Sequence, residues 1–131
     1  MLSDGEHIIT AGGVAHWVRV AGAANGGVPL VLLHGGPGGN AYSIERSVGE
    51  RLAETLTVIF YDQRGCGRSE RPTDSGTYSV GRLVADLEDL RSSLGIDRIV
   101  PWGVSFGCQV AAEYAVAHPD RVDRLVLHAP A

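Results

Sequence analysis

The spacing of apolar positions changes several times along the chain, and each change marks an element. From His7 to Gly22, apolar and polar residues alternate in a stretch rich in β-branched side chains. Gly12-Gly13 interrupts it, which predicts a β-hairpin. Leu30-Val31-Leu32-Leu33 is a continuous apolar run, suited to a strand buried on both faces of a parallel sheet. Ile44, Val48 and Leu52 recur every fourth residue and predict a helix. Thr57-Val58-Ile59-Phe60-Tyr61 reads as another buried strand, with a loop from Asp62 to about Thr77.

The clearest periodicity follows. Val80, Leu83, Val84, Leu87, Leu90 and Leu94 form one helical stripe, with Asp86, Glu88, Asp89 and Arg91 expected away from it. Ser79 fits an N-cap and Gly95 the C′ position. A strand from Ile99 to Trp102, an alanine-rich helix from about Ser105 to Ala117 and a strand from Val122 to His128 complete the pattern. Strands alternating with helices imply right-handed crossovers. The fold class is therefore α/β: a mostly parallel, doubly wound sheet covered on both faces, with an antiparallel hairpin at its start. With no repeat, low-complexity segment or linker, residues 1–131 read as a single unit.

Composition narrows the function classes. A net charge of −4 offers no basic face for phosphate backbones, so no nucleic-acid partner is expected. The longest apolar run, Leu30 to Leu33, is far short of a membrane span. Residues 1–6 lack the basic and apolar regions of a secretory signal, and a cytoplasmic location is expected. Cys66 and Cys108 are too few for a disulfide scaffold and read as free thiols. The five histidines, at 7, 16, 34, 118 and 128, lack ligand spacing, so neither metal nor cofactor is expected.

Gly103-Val104-Ser105-Phe106-Gly107 fits G-x-S-x-G between a strand and a helix. Small flanking residues let the backbone bend sharply there and expose the hydroxyl at a helix N-terminus, where partial positive charge favours a developing anion. Ser105 is the candidate nucleophile; the competing reading is a tight structural turn with an inert serine. His34-Gly35-Gly36-Pro37-Gly38 follows the first buried strand, and its glycines permit close approach to a substrate carbonyl oxygen. The amides of Gly36 and Phe106 are the candidate oxyanion donors, each worth about 3 kcal/mol at a transition state. His34 is expected to anchor this loop, with Gly35, by hydrogen bonding rather than to act as a base. In Asp62-Gln63-Arg64-Gly65-Cys66-Gly67-Arg68-Ser69, Asp62 and Arg64 are expected to brace neighbouring turns through charge-assisted hydrogen bonds.

These three motifs, in this order, resemble the proline iminopeptidase branch of the α/β-hydrolases, and His118-Pro119-Asp120-Arg121-Val122 is also similar to that superfamily. The resemblance spans roughly Val28 to Leu127. It implies a serine hydrolase that removes a small N-terminal residue from peptides, or cleaves a related amide or ester, with a small molecule or short peptide as substrate. The chain departs from that branch at Val104 and Phe106, where Gly and Trp are usual, and a carboxylesterase or lactonase of the same fold remains the alternative. Epoxide hydrolases and haloalkane dehalogenases are disfavoured, since the resemblance implies Asp at their nucleophile position.

In this fold the triad runs Ser, then Asp or Glu, then His along the chain. After Ser105 there are Glu113, Asp120, Asp123, His118 and His128. His118 lies at the far end of a helix that carries it about 18 Å away. Asp120 and Asp123 precede the last strand, at the opposite rim. His128 closes that strand on the functional rim, with no acid following to orient it. The catalytic acid and base are thus expected outside this chain. It reads as a partial chain of low activity, whose missing C-terminal half would complete the sheet and cover its apolar edge strand. Two readings of other classes stay open. Gly36-Pro-Gly-Gly-Asn-Ala41 matches G-x-G-x-x-A, with Asp62 near a ribose-binding position, as in a Rossmann dinucleotide site. The other is a non-catalytic α/β-hydrolase scaffold.

Overall fold

The computed structural model describes residues 2–130. The hairpin forms as read from the alternation. β1 (Gly5–Ala11) and β2 (Val14–Ala21) pair antiparallel, from Gly5 opposite Val20 to Ala11 opposite Val14. Gly12 and Gly13 make the turn at φ 56° and 75°, the left-handed pair that matches the twist of the flanking strands.

The continuous apolar runs form the centre of the sheet. β3 (Leu30–Leu33) lies parallel to β4 (Val58–Tyr61) on one side and to β5 (Val100–Val104) on the other. β2 pairs antiparallel with β4, and β6 (Val126–His128) pairs parallel with β5, giving the order β1-β2-β4-β3-β5-β6. Successive side chains of a strand face opposite layers. Val31, Leu33, Ile59 and Tyr61 pack under α2 (Val80–Ser93) and α3 (Gly107–Ala117), while Leu32, Val58 and Phe60 face α1, residues 42–52. The chain leaves β3 toward β4 on one side, then crosses back over the sheet to β5 on the other. That reversal opens a crevice beyond the C-terminal ends of β3 and β5, the place where open α/β sheets bind ligands.

Several expectations need correction. The α1 segment carries a π-helical turn, Glu45–Gly49, between Tyr42–Ile44 and Glu50–Leu52. The wider turn rotates Val48, expected inward, to 45% exposure and brings Glu45 and Gly49 inside. Gly49 lies against Phe60, where a Cβ would come 2.5 Å from the ring. On α2, Ser79 caps as expected, its Oγ accepting from the Arg82 amide at 3.0 Å, and Gly95 follows at φ 70°. Asp86 and Arg91, expected outward, are buried, because each finds oppositely charged or carbonyl partners under the helix. β5 continues to Val104, two residues past the predicted end, and α3 begins at Gly107 rather than Ser105. The final strand is shorter than predicted. Val126–His128 pair with Trp102–Val104, while Val122 meets Ile99 only in an isolated bridge. β6 forms an edge, with Leu125, Val126 and Leu127 exposed.

Candidate active site

Ser105 occupies the sharp bend between β5 and α3 at φ 54°, a left-handed conformation rare for a residue with a side chain. Its amide donates to the His128 carbonyl at 3.0 Å, and its carbonyl accepts from the Cys108 amide at 3.0 Å. The two glycines of the motif have separate steric reasons. A Cβ on Gly103 would lie 2.6 Å from the Cys108 Cα, in the first turn of α3. A Cβ on Gly107 would strike the Leu33 carbonyl oxygen, so only glycine lets α3 start against the end of β3.

That close approach brings the serine to the glycine loop. Leu33 and Gly103 are direct neighbours in the β3–β5 ladder. Two residues further along each segment, a Cβ on Gly35 would lie 3.3 Å from the Ser105 Cβ and 3.9 Å from its Oγ. Gly36, at φ 129°, turns so tightly that a Cβ would fall 2.5 Å from the Gly38 nitrogen. Phe106 supplies the residue before α3. Among the described residues, neither the Gly36 nor the Phe106 amide is engaged in a hydrogen bond.

The supporting residues form a buried polar frame beneath this rim. The His34 ring donates from Nδ1 to the Gly35 carbonyl at 2.8 Å, and its Nε2 accepts the Gln63 amide at 3.0 Å. Gln63 returns a side-chain bond to the His34 carbonyl at 3.0 Å. Burial holds His34 below the ordinary imidazole range, outweighing the Gly35 bond and the Asp62 charge. With both nitrogens engaged and the ring neutral, His34 is an anchor.

Asp62 accepts the Ala41 amide at 2.8 Å on Oδ1, and the Arg68 amide and Nε at 2.9 and 2.7 Å on Oδ2. Burial pushes its carboxyl up, but the Arg68 and backbone bonds outweigh that and leave it below the usual carboxylate range. Both oxygens are occupied inside the protein, so no lone pair is presented to a ribose, and the dinucleotide reading loses its acid. Arg64 makes a two-pronged pair with Asp86, Nε to Oδ2 at 2.9 Å and Nη2 to Oδ1 at 3.1 Å, and caps the Gly12 carbonyl at 2.8 Å.

Sequence reasoning missed several members of this frame. Arg68 lies 3.3 Å over the Trp17 ring and bonds Glu45 at 3.2 Å, which in turn takes Arg19 at 3.1 Å. His16 is fully buried 3.6 Å from Asp86, with its Nε2 making no hydrogen bond. The DQRGCGRS run already contained Arg68 and Gln63; Glu45, His16 and Asp86 carried no local signal. His128 lies opposite Val104 in the ladder and is exposed.

Beside the serine turn, a cleft of about 360 Å³ is lined by Pro37, Gly38, Cys66, Tyr78, Leu83 and Phe106. A larger hollow of about 740 Å³ lies at the opposite ends of the same strands, among Asp4, Val28, Thr57 and Arg98. It holds none of the motif residues. Among the described residues no group of His, Cys, Asp or Glu is placed to hold a metal ion.

A family model for the alpha/beta hydrolase fold matches residues 28–131. The chain belongs to the α/β-hydrolase family. This α/β-hydrolase chain is 39% identical over 105 residues to the proline iminopeptidase of Heyndrickxia coagulans, covering 80% of the chain and 36% of that enzyme. Its structure superposes on the proline iminopeptidase-related protein of Thermus thermophilus with a TM-score of 0.88 at 35% identity, over 98% of this chain and 45% of that one. A meta-cleavage product hydrolase of Pseudomonas fluorescens gives a TM-score of 0.86 at 32% identity, over 95% and 45% respectively. The chain thus spans about a third of the curated relative and less than half of each solved structure.

Proposed function

We propose that this α/β-hydrolase segment carries the nucleophile and oxyanion hole of a serine hydrolase similar to proline iminopeptidases. In this reading the protein releases a small N-terminal residue from a short peptide or related amide. The observation that carries the proposal is the left-handed bend at Ser105, which lies against the Gly35–Gly36 loop. In the proposed reaction Ser105 Oγ adds to the substrate carbonyl carbon. The carbonyl oxygen takes up negative charge between the amides of Gly36 and Phe106, and the tetrahedral adduct expels the amine to leave an acyl-serine. Water then adds to the acyl carbon, and its collapse frees the acid and restores the hydroxyl.

The proton leaving Oγ must reach the departing amine, and the catalytic acid and base that carry it are proposed to come from sequence outside these 131 residues. The same sequence would cover β6 and close the crevice. His34 cannot serve, because both of its ring nitrogens are committed to the loop. The two buried free thiols, Cys66 and Cys108, fit the cytoplasmic setting that is part of this proposal. A second reading, an esterase of the same fold, draws on the cleft beside Phe106, which is lined mainly by apolar side chains and would suit an uncharged acyl group.

The test uses the full-length protein. Aminoacyl p-nitroanilides and p-nitrophenyl esters are compared as substrates, with a fluorophosphonate probe locating the reactive residue. Ser105→Ala is expected to abolish labelling and to lower kcat by about 10³-fold or more. Labelling at another residue, or a Ser105→Ala variant that keeps its rate, overturns the proposal. Faster ester than anilide turnover would select the second reading.

A further inference from the structure

The Arg64–Asp86 pair lies wholly inside the protein, and stability alone gives little reason for it. A buried ion pair often stabilises no better than well-packed apolar residues of the same volume. Its position suggests another role. Arg64 directly follows Gln63, and Gln63 is joined to His34 twice, by its own amide to Nε2 and by its side chain to the His34 carbonyl. An amide donating to Nε2 requires the imidazole proton to sit on Nδ1. That proton is then given to the Gly35 carbonyl at 2.8 Å. In a planar trans peptide, C=O and N–H point in opposite directions. Once the ring holds the Gly35 oxygen, the Gly36 N–H is turned to the other side of the loop, away from the imidazole. One continuous path therefore runs from α2 through a loop to the peptide whose amide is the candidate oxyanion donor.

We propose that the buried Arg64–Asp86 pair is a positioning device for the glycine loop: it fixes Gln63, which holds His34 in the tautomer that orients the Gly35–Gly36 peptide. Asp86 is anchored for this purpose by α2 and by Arg82, 3.2 Å away, and Arg64 is steadied by the Gly12 carbonyl of the hairpin turn. The inference rests on the acyl-transfer reading above.

The test compares Arg64→Lys, Asp86→Asn and Ser105→Ala in the full-length protein by kcat, KM and thermal melting. Lysine keeps the charge and loses the two-pronged geometry. Arg64→Lys and Asp86→Asn are expected to lower kcat about 10- to 100-fold, part of the loss seen when an oxyanion donor is removed. KM should stay within about twofold, since the donor acts on the transition state. Lowered melting with an unchanged kcat per folded molecule would mean a purely structural role and overturn the proposal. Nitrogen-15 NMR of the unmutated protein provides a reading that does not depend on the variants folding. His34 is expected as the neutral Nδ1–H tautomer, and an Nε2–H tautomer breaks the path. Should Ser105→Ala keep full activity, the acyl-transfer reading falls; should it lose activity while Arg64→Lys does not, only the positioning role falls.

Discussion

Asp86 and Glu88 stand two residues apart on α2, about 200° around its axis, and their surroundings differ accordingly. Asp86 is wholly buried and faces the hairpin turn and the loop after β4, with Arg64, Arg82 and His16 around it. Glu88 is 23% exposed and faces α3, accepting from Arg91 of its own helix at 2.6 Å and from the Tyr114 hydroxyl of α3 at 2.6 Å. Arg91 also donates to the Ile96 carbonyl just past the helix. One group connects the helix to the hairpin turn through Arg64 and, by way of Gln63 and His34, to the glycine loop. The other fastens two helices together along their seam. The same chemistry, a carboxylate and a guanidinium, thus serves position in one place and cohesion in the other, and the neighbour each faces decides which.

Substitutions at the rim and at the seam should separate these roles. The largest effect is expected from Asp62→Asn, a rim residue whose amide would put a donor against Arg68. Stability should fall by about 2–3 kcal/mol, the usual result of disrupting hydrogen bonds to a buried carboxylate. Turnover should fall with it, because Asp62 also holds the Ala41 amide that closes the glycine loop. Urea unfolding and steady-state kinetics measure the two losses, and an unchanged kcat in the folded variant would show that the Asp62–Ala41 bond does not hold the loop for turnover. Glu88→Gln, at the seam, should cost about 1–2 kcal/mol and leave kcat as it was. Its pH dependence sharpens the contrast. The Arg91 bond, helped by Tyr114 and opposed by burial, holds the Glu88 carboxyl at about 2 instead of 4.5. A depressed carboxyl stabilises the fold above its unfolded value and ceases to do so as pH falls through its folded value. The gap between native and Glu88→Gln protein should therefore be complete at neutral pH and close between 4.5 and about 2. A gap that stays constant over that range would show that Glu88 is not held in this way.

Much of this arrangement was legible from local pattern. Continuous apolar runs predicted β3 and β4, the α2 stripe gave its length and cap, and Gly12-Gly13 marked the hairpin, because period and turn chemistry act over a few residues. That His34, Asp62 and Arg64 would hydrogen-bond to neighbouring turns was also readable, since each lies within a motif at a strand end. Asp86 and Arg91 were misread because helical periodicity sorts charged residues outward, and their partners cannot be seen from the helix alone. Arg64 lies 22 residues from Asp86, and His16 comes from another element altogether. Val48 failed for a different reason: a π turn changes the angular step, which a fixed period of 3.6 cannot anticipate.

The φ of 54° at Ser105 also has a thermodynamic side. A side chain in that region costs about 1–2 kcal/mol, and the greater freedom of an unfolded glycine offsets about half of what its removal would gain. Ser105→Gly should therefore melt higher than the native chain, by the equivalent of roughly 0.5–1 kcal/mol; an equal or lower melting point would show that the bend is not strained. Under pressure for thermostability alone, this position would drift to glycine, so the sturdiest form of the turn is one that has lost its hydroxyl.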